Sequence, residues 1–155
     1  MTDKELMQKA IDISLENIKN GGGPFGAVIA KDGQIIATGA NRVTAENDPT
    51  SHAEIKAIRN ACQYLKTFDL SGCTIYSSCE PCPMCLSAIY WAHIDKIFYG
   101  NNKHDAAEIG FDDSYIYNEL ELPVDKRSKA MTELLSDEAI KAFTLWMNTD
   151  DKTEY

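Results

Sequence analysis

The chain has 155 residues, enough for one domain with a substantial buried core. Its 44% hydrophobic and 25% charged residues are those of an ordinary globular protein and not of a disordered chain. Fifteen basic against 24 acidic residues leave a net charge of −9, which repels phosphate backbones and disfavours nucleic acid as the main partner.

The densest basic run (Lys126, Arg127 and Lys129) follows an acid, Asp125, so a small neutral or cationic substrate suits this charge better. The opening residues, MTDKELMQKA, hold no apolar run that could serve as a secretory signal. No hydrophobic stretch approaches the roughly 20 residues of a membrane span, so no membrane association and a cytoplasmic location are expected. Five cysteines, an odd number, then point to reduced thiols or metal ligands.

Residues 4–19 carry Leu6, Met7, Ala10, Ile11, Ile13, Leu15 and Ile18 at the three-or-four spacing of an amphipathic helix. Gly21-Gly22-Gly23-Pro24 stops it. "FGAVIAKDGQIIATGAN" reads as a β-hairpin turning at Asp32-Gly33. A second helix is expected over about 51–66, with Ala53, Ala57, Ile58, Ala61 and Leu65 on one side. "CTIYSS" (73–78) reads as a buried strand, followed by a helix over about 82–93 and a strand at "DKIFYG" (95–100).

Farther on, residues 104–119 are helical in pieces, interrupted by "GFDDS". A fifth strand is expected at "KAMTEL" (129–134). A last helix over 137–148 has Ser136 as N-cap and Ile140, Phe143 and Met147 on its apolar face. The end, "TDDKTEY", has the composition of a disordered tail. Strands alternating with helices place the chain in the α/β class, with an at least partly parallel sheet. With no internal repeat and no linker, it reads as one domain.

The chemistry centres on "SSCEPCPMC", in which Cys79, Cys82 and Cys85 stand three apart. An iron–sulfur run needs a fourth cysteine followed by proline, but those positions hold Ile89 and Tyr90. A redox dithiol at Cys79-x-x-Cys82 is possible in form, yet Pro81 and Pro83 start the helix near Cys82 and leave Cys79 on the entering loop. Cys82 and Cys85 then share one helix face in the first turn, where the dipole favours thiolates.

His52-Ala53-Glu54 with Pro81-Cys82-Pro83-Met84-Cys85 matches the H-x-E…P-C-x-x-C signature of zinc deaminases. His52, Cys82 and Cys85 would hold zinc and leave a fourth position open for water, with Glu54 as general acid/base. Plainer readings exist for each part. Ser51-x-x-Glu54 is also a capping box. On an ideal helix, residues two apart point to nearly opposite sides, so spacing alone does not put His52 and Glu54 in one site. It is the joint pattern that is specific.

The segments "GGPFGAVI", "NDPTSHAEIKAIRNAC", "SSCEPCPMCLSAIYWA", "AAEIGFDDSYIY" and "KTEY" resemble the cytidine-deaminase superfamily, and within it the small bacterial guanine deaminases. The resemblance runs from about residue 21 to the C-terminus. It implies a three-layer α/β/α sandwich with a mixed sheet of about five strands. It also implies a zinc cofactor and hydrolytic deamination of guanine to xanthine and ammonia. His52, Cys82 and Cys85 would be the ligands and Glu54 the proton shuttle.

The same resemblance assigns purine contacts to Asn41, Phe25, Trp91 and Ala53, and gives Asp113 the amino-bearing edge and a share in proton transfer. It further implies that Tyr155 folds over the pocket with residues 149–155, and a homodimer in which this tail can pass to the neighbouring subunit. Without the resemblance, Asn41 reads as a turn residue, Asp113 as a helix cap, and Phe25 and Trp91 as core aromatics. Cys62 and Cys73 read as structural thiols. The rivals are a deaminase of another base or nucleoside, a tRNA adenosine deaminase, and a zinc-stabilised module without activity.

Overall fold

A capping box opens the first helix: Thr2 Oγ1 accepts from the Glu5 amide, and the Glu5 carboxylate accepts from the Thr2 amide at 2.7 Å. The computed structural model describes residues 1–155. This helix, α1 (Asp3–Lys19), buries Leu6, Ala10, Ser14 and Asn17. The expected face is thereby rotated, since Leu15 and Ile18 are exposed. The reason is the close approach of Gly26, where a β-carbon would strike the Ala10 carbonyl and come within 2.7 Å of the Ser14 nitrogen.

The hairpin forms as read. β1 (Gly26–Lys31) pairs antiparallel with β2 (Gln34–Ala40) across Asp32 and Gly33, both in the left-handed region at φ 51° and 73°. A short helix, α2 (Val43–Glu46), follows and had no signal in the sequence. Then come α3 (Ala53–Leu65), β3 (Cys73–Cys79), α4 (Pro83–Trp91) and β4 (Lys96–Asn101). The sheet order is β2-β1-β3-β4, with β1–β3 antiparallel and β3–β4 parallel, so α4 is the crossover of a β-α-β unit.

Alternation along the strands divides the core. Val28, Ala30 and Tyr76 pack with Leu6 and Ala10 on the α1 side. Ala27, Ile29, Cys73 and Ile75 pack with Ala53, Ala57 and Ala61 of α3 and Ile89 of α4 on the other. Small alanines let α3 lie close against the sheet. The three layers are thus present, but the sheet has four strands and not five. Residues 129–134 form no strand, and Met131 and Leu134 are exposed. An alternating pattern without a neighbouring strand to pair with does not hold the extended form.

Two compact units divide the chain, Met1–Ser114 and Tyr115–Tyr155. In the first, α5 (Lys103–Glu108) has a capping box from Asn102 and Asp105. The second follows the start of α6 (Ser114–Glu121) and holds a 3₁₀ turn (Val124–Lys126) and α7 (Ser136–Met147). Arg127 folds back to donate to the Glu119, Leu122 and Leu120 carbonyls at the end of α6. The N-cap of α7 is Leu135, in a left-handed conformation, and not Ser136, which lies inside the helix. Ile140, Phe143 and Met147 are exposed. No helix is long and apolar enough to cross a membrane.

Candidate active site

Two helix N-termini meet at one point. His52 is the N-cap of α3 with an extended backbone (φ −73°, ψ 158°) and makes no side-chain capping bond, so its imidazole is free for other work. Being outside the helix, it escapes the opposite-sides objection to sharing a site with Glu54. Cys82 is likewise the extended N-cap of α4, with Pro83 as the first helical residue and Cys85 in the first turn.

His52 Nδ1 lies 3.5 Å from both Cys82 Sγ and Cys85 Sγ. All three donor atoms fall within 4.8 Å of one another. A tetrahedral zinc bonded at about 2.3 Å to sulfur and about 2.05 Å to nitrogen sets sulfur and nitrogen about 3.5 Å apart, so the geometry fits that ion. The donor set, one imidazole and two thiols, fits it too. Cys79 lies outside the cluster: it is buried, its Sγ reaches toward the Asn102 carbonyl, and burial pushes its thiol up to about 11.

The electrostatics suit a cation. The Cys85 thiol donates to Cys82, and this bond, with burial opposing and His52 assisting, draws Cys82 well below the ordinary thiol range. As donor in that bond, and because it is buried, Cys85 is held above it. The bond to Cys82 raises His52 against the opposing effect of burial.

The arm that carries His52 is pinned. Ser51 is fully buried, and its hydroxyl donates to Glu46 at 2.6 Å and to Asp48 at 3.1 Å. Glu46 in turn accepts from Lys56 of α3 at 2.9 Å. Ser51 thus serves this network, and the capping-box reading does not hold.

Glu54 stands beside the cluster, only 7% exposed, and burial raises its carboxyl above the usual range. Its Oε1 accepts from the Ser77 hydroxyl at 3.0 Å. Ala53, fully buried, begins α3 between the two functional side chains. Asn41, at the end of β2, is buried, and its amide oxygen accepts from the Val43 amide at 3.3 Å. Its carbonyl and that of Gly23 both accept from Asn17 Nδ2 at 2.8 Å.

The "GFDDS" loop gives its two acids different tasks. Asp112 accepts from the Ser114 amide at 2.9 Å and supplies the turn into α6. Asp113 keeps a buried Oδ1 with no partner. Burial raises its carboxyl, and the negative charge of Cys82 adds to this, which brings it within electrostatic reach of the cluster. The carboxylate that accepts from the Ser114 amide at the start of α6 is thus that of Asp112. On the same loop, Phe111 meets Phe25 edge to face at 4.9 Å.

Trp91 ends α4, at the other end of a nine-residue helix from Cys82 and about 13 Å along it. It is 67% exposed and is not a core aromatic. Tyr155 is exposed at the end of the second unit. Asn17, Ser77 and Phe111 were not singled out from the sequence. Ser77 alone had a signal, as a hydroxyl on the buried phase of an otherwise apolar strand.

This fold and this cluster define a zinc-dependent deaminase, and the chain belongs to the cytidine and deoxycytidylate deaminase family, whose zinc-binding region matches residues 1–101. Among individual proteins it is 48% identical over 156 aligned residues to the guanine deaminase of Bacillus subtilis, with 100% of both chains covered. The X-ray structure of that enzyme superposes with a TM-score of 0.97, covering 100% of this chain and 99% of the other. A guanine deaminase structure from Nitrosomonas europaea is 33% identical with a TM-score of 0.70, covering 72% of this chain and 65% of that one. A tRNA-specific adenosine deaminase from Agrobacterium fabrum is 45% identical over 89 residues, 56% of this chain and 59% of the other.

Proposed function

We propose that this chain hydrolyses guanine to xanthine and ammonia. The reaction class rests on the convergence of His52, Cys82 and Cys85 beside the buried Glu54. Support for the purine comes from similarity to a guanine deaminase over the whole chain, whereas the adenosine deaminase match covers 56% of it. The net charge of −9 also argues against an RNA substrate.

When bound by His52, Cys82 and Cys85, zinc supplies an acidified water able to act as a nucleophile near neutral pH. Glu54 would take up the two protons of the attacking water in turn, passing the first to a ring nitrogen and the second to the leaving amine. A C–O bond forms at C2 as the C2–N bond breaks, and the nitrogen departs as ammonia. Burial, which raises Glu54, suits a group that must hold a proton midway through the reaction.

Asp113, with its unpartnered Oδ1, accepts from the amino-bearing edge of the purine and assists proton transfer. Asn41 donates its amide to the ring, Ala53 lines the pocket, and Phe25 covers a ring face with Phe111 braced against it. Trp91 and Tyr155 complete the purine site, with the 149–155 tail closing it. Because Trp91 lies at the wrong end of its own α4, its ring contact comes from a second copy, in a homodimer that can exchange tails. The exposed Leu134, Phe143, Leu145 and Met147 support such an assembly. The cytoplasm, where thiols stay reduced, suits the two cysteine ligands.

The test is ammonia release by zinc-loaded protein from guanine, guanosine, adenine, cytosine and cytidine in parallel. Guanine should turn over fastest. If guanine is inert while another compound reacts, the substrate assignment falls and the reaction class stands. Mass measurement in solution tests the dimer.

A further inference from the structure

β3 carries two consecutive serines, and the strand's alternation sends them to opposite faces of the sheet. Ser78, on the α1 side, accepts from the Gly26 amide at 3.0 Å and ties β3 to β1. Ser77 faces α3 with Cys73 and Ile75, is 2% exposed, and donates to Glu54 Oε1 at 3.0 Å. Ser77 itself is held on both sides, paired with Ala27 of β1 and Tyr99 of β4. Its hydroxyl therefore projects from the most constrained part of the sheet.

We propose that Ser77 is the positioning residue for Glu54. Its hydroxyl occupies Oε1, fixes the plane of the carboxylate, and leaves Oε2 as the oxygen that moves protons. A glutamate has three rotatable bonds and would otherwise sample several rotamers in the space beside the cluster. The Glu54 amide and the Cys85 thiol also reach this carboxylate, but the first moves with α3 and the second cannot donate once Cys85 is a thiolate, so the terminal torsion needs an anchor outside both. Ser77 is the protein group that donates to this carboxylate from a rigid strand. The inference rests on the assignment of Glu54 as the proton carrier of the reaction above, and not on the identity of the base.

The test compares Ser77→Ala and Ser77→Thr in the full zinc-loaded chain. Ser77→Ala should keep one zinc per chain and a KM within about twofold of the parent, while kcat falls about 10–100-fold, the usual scale of a misplaced catalytic group. Ser77→Thr, which keeps the hydroxyl, should recover most of that loss. A crystal structure of zinc-loaded Ser77→Ala should show Glu54 in more than one conformer. Unchanged kcat in Ser77→Ala, equal loss in both variants, or an unmoved and singly ordered Glu54 would each overturn the proposal, and so would loss of zinc from Ser77→Ala. If guanine fails as substrate but another base reacts, the same ratios are read on that base. The crystal structure decides without any turnover, so the two failures are distinguishable.

Discussion

Gly39 of β2 lies directly beneath the first turn of α3, so that a β-carbon on it would land on the Ala53 carbonyl and come within 2.5 Å of the Ala57 nitrogen. The helix that holds His52 at its cap and Glu54 in its first turn is seated by the absence of a side chain. Gly39→Ala must push that helix outward against fixed backbone atoms. We expect a loss of about 1–3 kcal/mol in denaturant unfolding, the usual cost of overpacking, together with lower zinc occupancy at limiting metal. A variant with parent stability and full zinc would show that the helix is seated by other contacts.

Glu54→Gln keeps the size and much of the hydrogen bonding of the side chain but removes the proton acceptor. Zinc content should remain at one per chain, because the group that could hold the ion, His52, Cys82 and Cys85, is left intact. Turnover should fall about 10²–10⁴-fold, the range for a general acid/base. Metal analysis beside ammonia release checks both halves, and near-parent turnover would remove Glu54 from the mechanism.

Acid should loosen the His52 arm. The Ser51 hydroxyl, followed by Lys56, holds Glu46 below its ordinary 4.5, and the Thr50 hydroxyl and amide hold Asp48 below its ordinary 3.8. Carboxyls lowered in the folded state contribute stability that is complete above those ordinary values and lost as pH falls through the depressed ones. Glu46 is exposed and Asp48 only half-buried, so the effect is a modest slope. Comparing Tm against pH for the parent and Glu46→Gln should show a shallower fall below about pH 4.5 in the variant. Identical slopes would mean that the Ser51 network does not contribute to folding.

At the opposite extreme of pH, Tyr76 should dominate. It is buried, donates to Asp3 at 2.6 Å and stacks on Phe98 at 5.1 Å between ring centres. Burial first, and then the Asp3 bond, push its phenol up from 10 to about 12. A raised folded value means that this stability is full below about pH 10 and disappears as pH rises toward 12. Tyr76→Phe should cost about 1 kcal/mol at neutral pH and flatten the alkaline decline. Denaturant unfolding at neutral and alkaline pH measures both.

The sequence displayed the metal site more fully than the sheet. His52, Cys82, Cys85 and Glu54 fall within two short segments whose residue types have few other uses in combination, and the prolines around Cys82 located the helix start to within a residue. The different surroundings of Asp112 and Asp113 were not legible in composition or spacing, because two adjacent acids look alike until one is seen to accept from Ser114 and the other to keep a buried Oδ1 without a partner. Asn17 was hidden for a related reason. Periodicity marks apolar faces, and a buried amide that ties the glycine loop to the end of β2 breaks that pattern. Residues 129–134 misled in the opposite direction, since alternation is necessary for a half-buried strand but pairing is decided elsewhere in the chain.

The two serines of β3 also constrain how a gene for this protein can change length. One codon inserted or deleted between Cys73 and Ser78 would exchange the faces of Ser77 and Ser78, turning the Glu54 anchor toward α1 and the Gly26 tie toward α3. It would also shift the turn that delivers Cys82. Substitutions along this strand can be graded in their effects, but a change of register is all or nothing. The stretch from Cys73 to Cys85 should therefore keep a fixed length among functional variants, with gains and losses of residues confined to the loops beyond it.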